Sequence, residues 1–239
     1  MTEPLFLRDP YLRRAEAQVV AHTPEGGIML NASLFYPTGG GQPGDNGLLR
    51  WDDQSLAIAT AIKGEGETII LVPAEPRALP PVGARVEQAL DWGRRHGHMR
   101  MHTALHLLSV VVPFGVTGGS IGAERGRLDF DMADAPEDRD ALQAALNEHV
   151  AADHAVSEEW ITSAELDANP GMVKTLSVQP PRGAGQIRLV RIGSGTDTID
   201  LQPCGGTHVE RTGEIGPLRI GKIEKKGRMN RRIYLHLDG

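Results

Sequence analysis

Two residue pairs about a hundred positions apart constrain this chain more than any other feature: His102 and His106 within HTALH, and Cys204 and His208 within CGGTH. Imidazole nitrogen and thiolate are the donors that tetrahedral zinc prefers, so the pairs together spell a His3Cys site for Zn2+. Any fold that uses them must close a long stretch of chain around one point. Residues four apart on an α-helix project from one face about 6 Å apart, so His102 and His106 reach a common ion from a helix. Gly205 and Gly206 stand between Cys204 and His208. Their wider backbone freedom suits a tight bend on which the second pair converges.

Each pair alone has a plainer reading. His102 and His106 suit the polar edge of a core helix, and Cys204 a small buried hydrophobe. A catalytic thiol beside a histidine is a third reading. A protease of the HExxH kind is disfavoured, because Thr103 follows the first histidine and no glutamate stands between the pair. What favours metal is the conjunction: Cys204 is the only cysteine in 239 residues, and it lies beside a histidine with two glycines between.

That length fits one large domain or two small ones, and a hydrophobic content of 40% predicts a folded core. A single cysteine excludes an internal disulfide, and the start, MTEPLFLRDPYLRR, has charges where a signal peptide needs an apolar run. A cytoplasmic protein is expected. The most apolar segment, Leu105 to Phe114, includes His106, Ser109 and Pro113 and is too short to span a bilayer, which needs about twenty residues. No membrane role and no obligate protein partner is indicated.

The net charge of −6 speaks against a nucleic-acid partner only until its distribution is read. Arg219, Lys222, Lys225, Lys226, Arg228, Arg231 and Arg232 oppose Glu224 alone, a local balance of +6 that leaves −12 on the rest of the chain. A basic strip on an acidic body can neutralise phosphates at one place and repel them elsewhere. The alternative is a solvated strand edge guarded by cations.

Residues 11 to 90 read as short strands. Arg14 to His22 and Ile28 to Tyr36 flank the turn signal Pro24-Glu25-Gly26-Gly27, and Leu56 to Ile62, Glu67 to Val72 and Arg85 to Leu90 follow at fairly even spacing, which suggests a small barrel. After Trp92 the pattern changes. Met101, Leu105, Leu108 and Val112 mark an amphipathic helix over His96 to Val112, with HTALH in its middle. A strand over Arg127 to Met132, a helix capped by Asp134 and running to about His149, and a short helix from Ser163 to Ala168 come next. Strands over Gln186 to Ile192, Thr198 to Leu201, Pro217 to Ile223 and Arg232 to Leu237 complete the chain. Irregular alternation predicts an α+β fold, with helices on one face of a mainly antiparallel sheet.

Between Phe35 and Gly47 lies FYPTGGGQPGDNG, with five glycines from Gly39 to Gly47. Uncovered backbone N–H groups at Gly39, Gly40 and Gly41, together with Gln42 and Asp45, make a candidate substrate-binding loop; a merely flexible loop is the alternative. No GK[ST] ending or βαβ context marks it as a P-loop.

FYPTGGGQPGDNG, HMRMHTALHLL and PCGGTHVERTGEIGPLRI, in this order over nearly the whole chain, resemble the freestanding alanyl-tRNA editing proteins, relatives of the editing domain of alanyl-tRNA synthetase. The resemblance implies a translation-factor-like β-barrel over residues 1–92 with the glycine-rich loop, then an α/β two-layer sandwich editing domain over residues 93–239. It implies zinc on His102, His106, Cys204 and His208. Thr103 matches a family position thought to sense the substrate side chain, and so stands as the catalytic candidate. With no aminoacylation domain upstream and no long C-terminal extension, the chain resembles the intermediate-length class. The implied reaction is hydrolysis of alanine tRNA mischarged with serine, and in some members with glycine. The strip Arg219 to Arg232, with Arg94, Arg95 and Arg100, is expected on the acceptor stem. Two alternatives stand beside this: a deacylase for another mischarged tRNA, such as serine on threonine tRNA, and a zinc-stabilised RNA-binding module without catalysis.

Overall fold

A computed structural model describes residues 1–175 and 185–238. The chain divides into two compact units, Met1–His96 and Gly97–Gly239.

In the first unit the strands are β1 (Glu3–Pro4), β2 (Arg14–His22), β3 (Ile28–Leu30), β4 (Ala32–Ser33), β5 (Gly47–Trp51), β6 (Gln54–Lys63), β7 (Ile69–Pro73) and β8 (Arg85–Leu90). Six of them close a barrel in the order β2-β3-β7-β6-β5-β8, and β1 pairs in parallel with β4. Alternation does what it should: Ala17 and Val19 of β2, Leu56 and Ile58 of β6 and Val86 of β8 turn inward onto Leu30, Phe35, Leu49 and Leu71. Two departures from the sequence reading matter. The long strand expected over Ile28 to Tyr36 breaks into β3 and β4, and Phe35 and Tyr36 run on into the core as irregular chain. The strand β5, whose sequence GLLRW looks like the tail of the glycine-rich segment, pairs with both β6 and β8 and closes the barrel. Without it those two strands would expose open edges.

The helix α1 (Trp92–Val111) begins in the first unit and carries the HTALH motif into the second. There follow β9 (Val116–Ser120), β10 (Arg125–Asp131), α2 (Arg139–Ala151), β11 (Val156–Thr162), α3 (Ser163–Ala168), β12 (Gln186–Ser194), β13 (Asp197–Pro203), β14 (Leu218–Gly227) and β15 (Asn230–Leu237). Among the described residues these form two sheets in place of one, with orders β14-β15-β10-β9 and β11-β12-β13. Both are antiparallel throughout. The fold is therefore α+β with a closed barrel.

In the second unit α1 is more than amphipathic. Met99, Met101, Ala104, Leu105, Leu107 and Leu108 are buried, and so are the polar His98, His102, Thr103, His106 and Ser109. A helix buried on every side must find partners for each polar group, which is why its polar face is dense in interactions. Gly126 of β10 lets the helix lie close, for a Cβ there would stand 2.7 Å from the Met101 sulfur and 3.1 Å from Leu105 Cδ1. At the β14 edge of the sheet, Asn147 of α2 donates to the Leu218 carbonyl at 2.8 Å and accepts from its N–H at 2.9 Å, so a side chain supplies the strand partner that β14 lacks.

Helix starts lie slightly off their expected places. Asp138 rather than Asp134 caps α2, accepting from the Ala141 N–H at 2.8 Å. Thr162 caps α3, in a capping box with Glu165. No helix among the described residues is long and apolar enough to cross a membrane.

Candidate metal centre

The fold brings both residue pairs to one place. One donor atom from each of His102, His106, Cys204 and His208 lies within 4.8 Å of all the others. The Cys204 Sγ is 3.3 Å from His102 Nε2 and 3.3 Å from His208 Nε2. In a tetrahedral zinc site with Zn–S near 2.3 Å and Zn–N near 2.0 Å, the S···N edge is roughly 3.5 Å, so these residues fit the ion.

Each element supplies its donor for a local reason. The helix α1 sets His102 and His106 one turn apart, their rings 5.3 Å from centroid to centroid. The strand β13 ends at Pro203, and the turn that follows carries Cys204 and His208. Neither Gly205 nor Gly206 takes a positive φ, contrary to the expectation from their type. Instead, the Gly206 N–H points at the Cys204 sulfur from 3.5 Å. The turn is clamped by Arg188 of β12, whose buried guanidinium donates to the carbonyls of Cys204 and Gly206, both at 2.8 Å, and reaches Glu158 at 2.5 Å.

Behind the ligands stands a second set of partners. His106 Nδ1 lies 2.9 Å from Asp200 Oδ2, which also accepts from Gln202 Nε2 at 2.7 Å, while Lys174 Nζ holds Oδ1 at 2.5 Å. His208 Nδ1 lies 3.1 Å from the Thr103 hydroxyl. That hydroxyl donates to the Met99 carbonyl at 3.0 Å and accepts from the Val209 N–H at 3.3 Å. A ring whose Nδ1–H is spent on a second-layer partner presents the Nε2 lone pair, the state a metal ligand needs.

Electrostatics favour the ligand states of Cys204 and His208, while His106 is pulled the other way by its partners. Burial opposes the Cys204 thiolate, but His102 and His208 outweigh it and draw the thiol well below its usual range. Burial and the neighbouring His102 press His208 well downward, toward the neutral ring. Burial also opposes the His106 imidazolium, yet hydrogen bonds to Asp200 and Cys204 push it up to about 9.

Other expectations meet the structure differently. Thr103 is fully buried, and its hydroxyl stands behind the His208 ring rather than on an open face. One residue on from His102 a helix has turned by about 100°, which carries the side chain away from the direction the ligands share. In the first unit, Gly40 and Gly41 take φ of 57° and 82° at the tip of a tight turn in which Gly39 and Gln42 exchange both backbone hydrogen bonds. Gln42 and Asp45 do not face solvent. Both are buried, and Asp45 accepts from the Tyr36 N–H at 2.6 Å and pairs with Arg95. The segment is an ordered turn, and Gly44 is confined because a Cβ would meet the Ala61 carbonyl at 2.2 Å.

The basic strip is the hairpin β14–β15, and pairing thins it. Arg231 points inward, is 6% exposed and donates to the Gly227 and Asn230 carbonyls, so it pins the turn and cannot reach a phosphate. Arg95 is likewise lost to RNA, being 1% exposed in its pair with Asp45. Arg232 binds Asp129 through two nitrogens, Arg219 meets Asp238, and Lys222 and Lys226 share Glu224. Strand pairing also adds cations that a linear reading misses, since Arg125 and Arg127 of β10 lie opposite His236 and Tyr234 of β15. The Arg125 guanidinium sits 5.4 Å from the Tyr234 ring centroid.

Comparison with known proteins relates both units to domains of class II tRNA synthetases. Residues 187–234 match the threonyl and alanyl tRNA synthetase second additional domain, and residues 11–94 match tRNA synthetases class II (A). The alanyl-tRNA editing protein AlaX-M of Methanosarcina acetivorans is 32% identical over 99% of this chain and 99% of its own length. AlaX-M of Saccharolobus solfataricus is 33% identical over 98% of each. An alanine–tRNA ligase of Caldivirga maquilingensis is 34% identical over 94% of this chain, which covers 25% of that enzyme. The chain belongs to the family of alanyl-tRNA editing proteins.

Proposed function

We propose that this chain removes serine from mischarged alanine tRNA by hydrolysing the ester at the 3′ end, with zinc held by His102, His106, Cys204 and His208. Aminoacyl-tRNA deacylation is the activity of its family, and tRNA is the substrate class. The observation that carries the reading is the convergence of four donors, with the far nitrogens of His106 and His208 already engaged by Asp200 and Thr103. Bound there, zinc supplies a Lewis acid for an ester carbonyl or an anchor for the substrate amine. Four protein donors are the pattern of a closed site, which favours orientation of the substrate over generation of the nucleophile. The residues of the chain do the rest. Cys204 brings the anionic donor, Thr103 fixes the His208 ring and Arg188 holds the turn that carries Cys204 and His208.

For RNA, the exposed cations Lys225 and Arg228 at the hairpin tip, with Arg219, Lys222, Lys226, Arg232, Arg125 and Arg127, form the surface we assign to the acceptor stem. Phosphate contacts of this kind give affinity without reading sequence. Of the glycine-rich segment, the exposed Gly40–Gly41 tip is the part left free to touch substrate. The compartment is the cytoplasm, where translation consumes alanine tRNA.

The deciding experiment is hydrolysis of seryl- and alanyl-charged alanine tRNA by the purified protein, side by side, with seryl-charged threonine tRNA as a third substrate. Fast loss of serine from alanine tRNA with alanine spared supports the reading. Loss of serine only from threonine tRNA, or from neither, overturns it.

A further inference from the structure

We propose that Asp200 is the positioning carboxylate of the metal centre, fixing which nitrogen of His106 faces the ion, and that Lys174 tempers it; the inference rests on the zinc reading above. Two groups compete for His106 Nδ1: the Asp200 carboxylate at 2.9 Å and the Gln202 amide nitrogen at 3.2 Å. They demand opposite tautomers. A carboxylate accepts and needs Nδ1–H, whereas the amide donates and needs a bare Nδ1. The carboxylate wins on distance and charge, and the amide is turned to the same Oδ2 at 2.7 Å. His106 therefore carries its proton on Nδ1 and offers Nε2 to the ion.

Asp200 is 2% exposed and so cannot drift. Its other oxygen is claimed by Lys174, whose side chain remains 28% exposed. The Lys174 backbone is itself tied down, its carbonyl accepting from the Val116 N–H at 2.9 Å. An ammonium on Oδ1 draws electron density from the carboxylate and weakens its pull on the His106 proton. The ring is then a weaker donor to the metal than Asp200 alone would make it. The same ammonium adds a positive charge beside the place of a dication.

Lys174 thus acts against metal affinity while Asp200 acts for it, and the two substitutions move zinc binding in opposite directions. The test is zinc affinity of the full chain by competition with a chromophoric chelator, together with the visible spectrum of the Co2+-loaded protein. Wild type, Asp200→Asn, Lys174→Met and the double variant are compared, with circular dichroism to check folding. Asp200→Asn is expected to weaken zinc binding roughly 10- to 100-fold and to shift the Co2+ bands. Lys174→Met is expected to tighten it roughly two- to tenfold, and by a smaller factor once Asp200 is already Asn, where only the direct charge effect of the ammonium remains. Damage to the fold cannot imitate a gain in affinity, so Lys174→Met decides the matter even if Asp200→Asn folds poorly. Unchanged or weaker binding in Lys174→Met, or wild-type binding and spectrum in Asp200→Asn, overturns the inference while leaving the zinc reading intact. A wild-type chain that binds no zinc overturns both.

Discussion

The two units each bury a knot of charged and polar groups, and the knots differ in one respect. In the barrel, Arg95 donates to Asp45, to the Pro10 carbonyl at 3.0 Å and to the Leu34 carbonyl at 2.7 Å. Donors meet acceptors, the charges cancel, and the knot closes on itself. In the second unit, three imidazoles and a thiol turn their donor atoms toward one another, while the outward nitrogens of His106 and His208 are engaged by Asp200 and Thr103. Lone pairs facing lone pairs are unfavourable until something positive stands among them. A buried polar cluster that supports the fold satisfies itself, whereas one that serves a ligand leaves the same kind of group pointing inward.

The comparison can be broken at either end. The largest effect is expected from Cys204→Ala, which removes the anionic donor: zinc content falls to background and deacylation drops on the order of a hundredfold or more, read by metal analysis and single-turnover hydrolysis. Full activity in a metal-free variant would leave the centre without a role. At the barrel knot, Arg95→Met strands a buried carboxylate and is expected to cost about 3–5 kcal/mol in denaturant unfolding, with zinc bound per folded molecule unchanged. If Arg95→Met instead emptied the metal site while the protein stayed folded, the division of labour between the two knots would be wrong.

A finer cut uses Thr103→Val, which keeps the shape but deletes the acceptor for His208 Nδ1–H. Zinc affinity should fall roughly tenfold, with a matching loss of turnover. If zinc binding held and only the preference for serine over alanine changed, Thr103 would read the substrate after all. The smallest effect lies on the basic sheet. Burial opposes the Asp129 carboxylate, but Arg232 and Arg127 outweigh it and hold its pKa below the usual value. A depressed carboxyl stabilises the fold above its unfolded pKa of about 3.9, and that contribution is lost as pH falls through the folded value. Stability curves for wild type and Asp129→Asn should therefore lie apart at neutral pH and converge below about pH 4. Parallel curves would mean that Asp129 does not hold these arginines.

Much of this was legible along the chain because it depends on short spacings. The i, i+4 histidines, the alternation of β2, β6 and β8 and the apolar rows of α1 are all local signals. What escaped depends on partners far away in sequence. The strands β5, GLLRW, and β9, VTGGS, carry the glycines of loops, and only pairing on neighbouring strands makes them strands. Arg95 reads as one more cation until the fold sets it against Asp45, fifty residues earlier. Asp200 and Gln202 did leave a trace: they precede Cys204 by four and two residues, so a strand through Asp200 to Cys204 turns all three to one face. That parity would have named the second layer of the centre from its first.

The missing side chain at Gly126 has a meaning beyond packing. The helix that carries His102 and His106 seats its Met101 and Leu105 side chains in the space that a methyl group at position 126 would fill. Position 126 thus bears on the centre from behind: a side chain there would press on Met101 and Leu105 of the helix that holds two of the four ligands, though the position has no donor, charge or proton of its own.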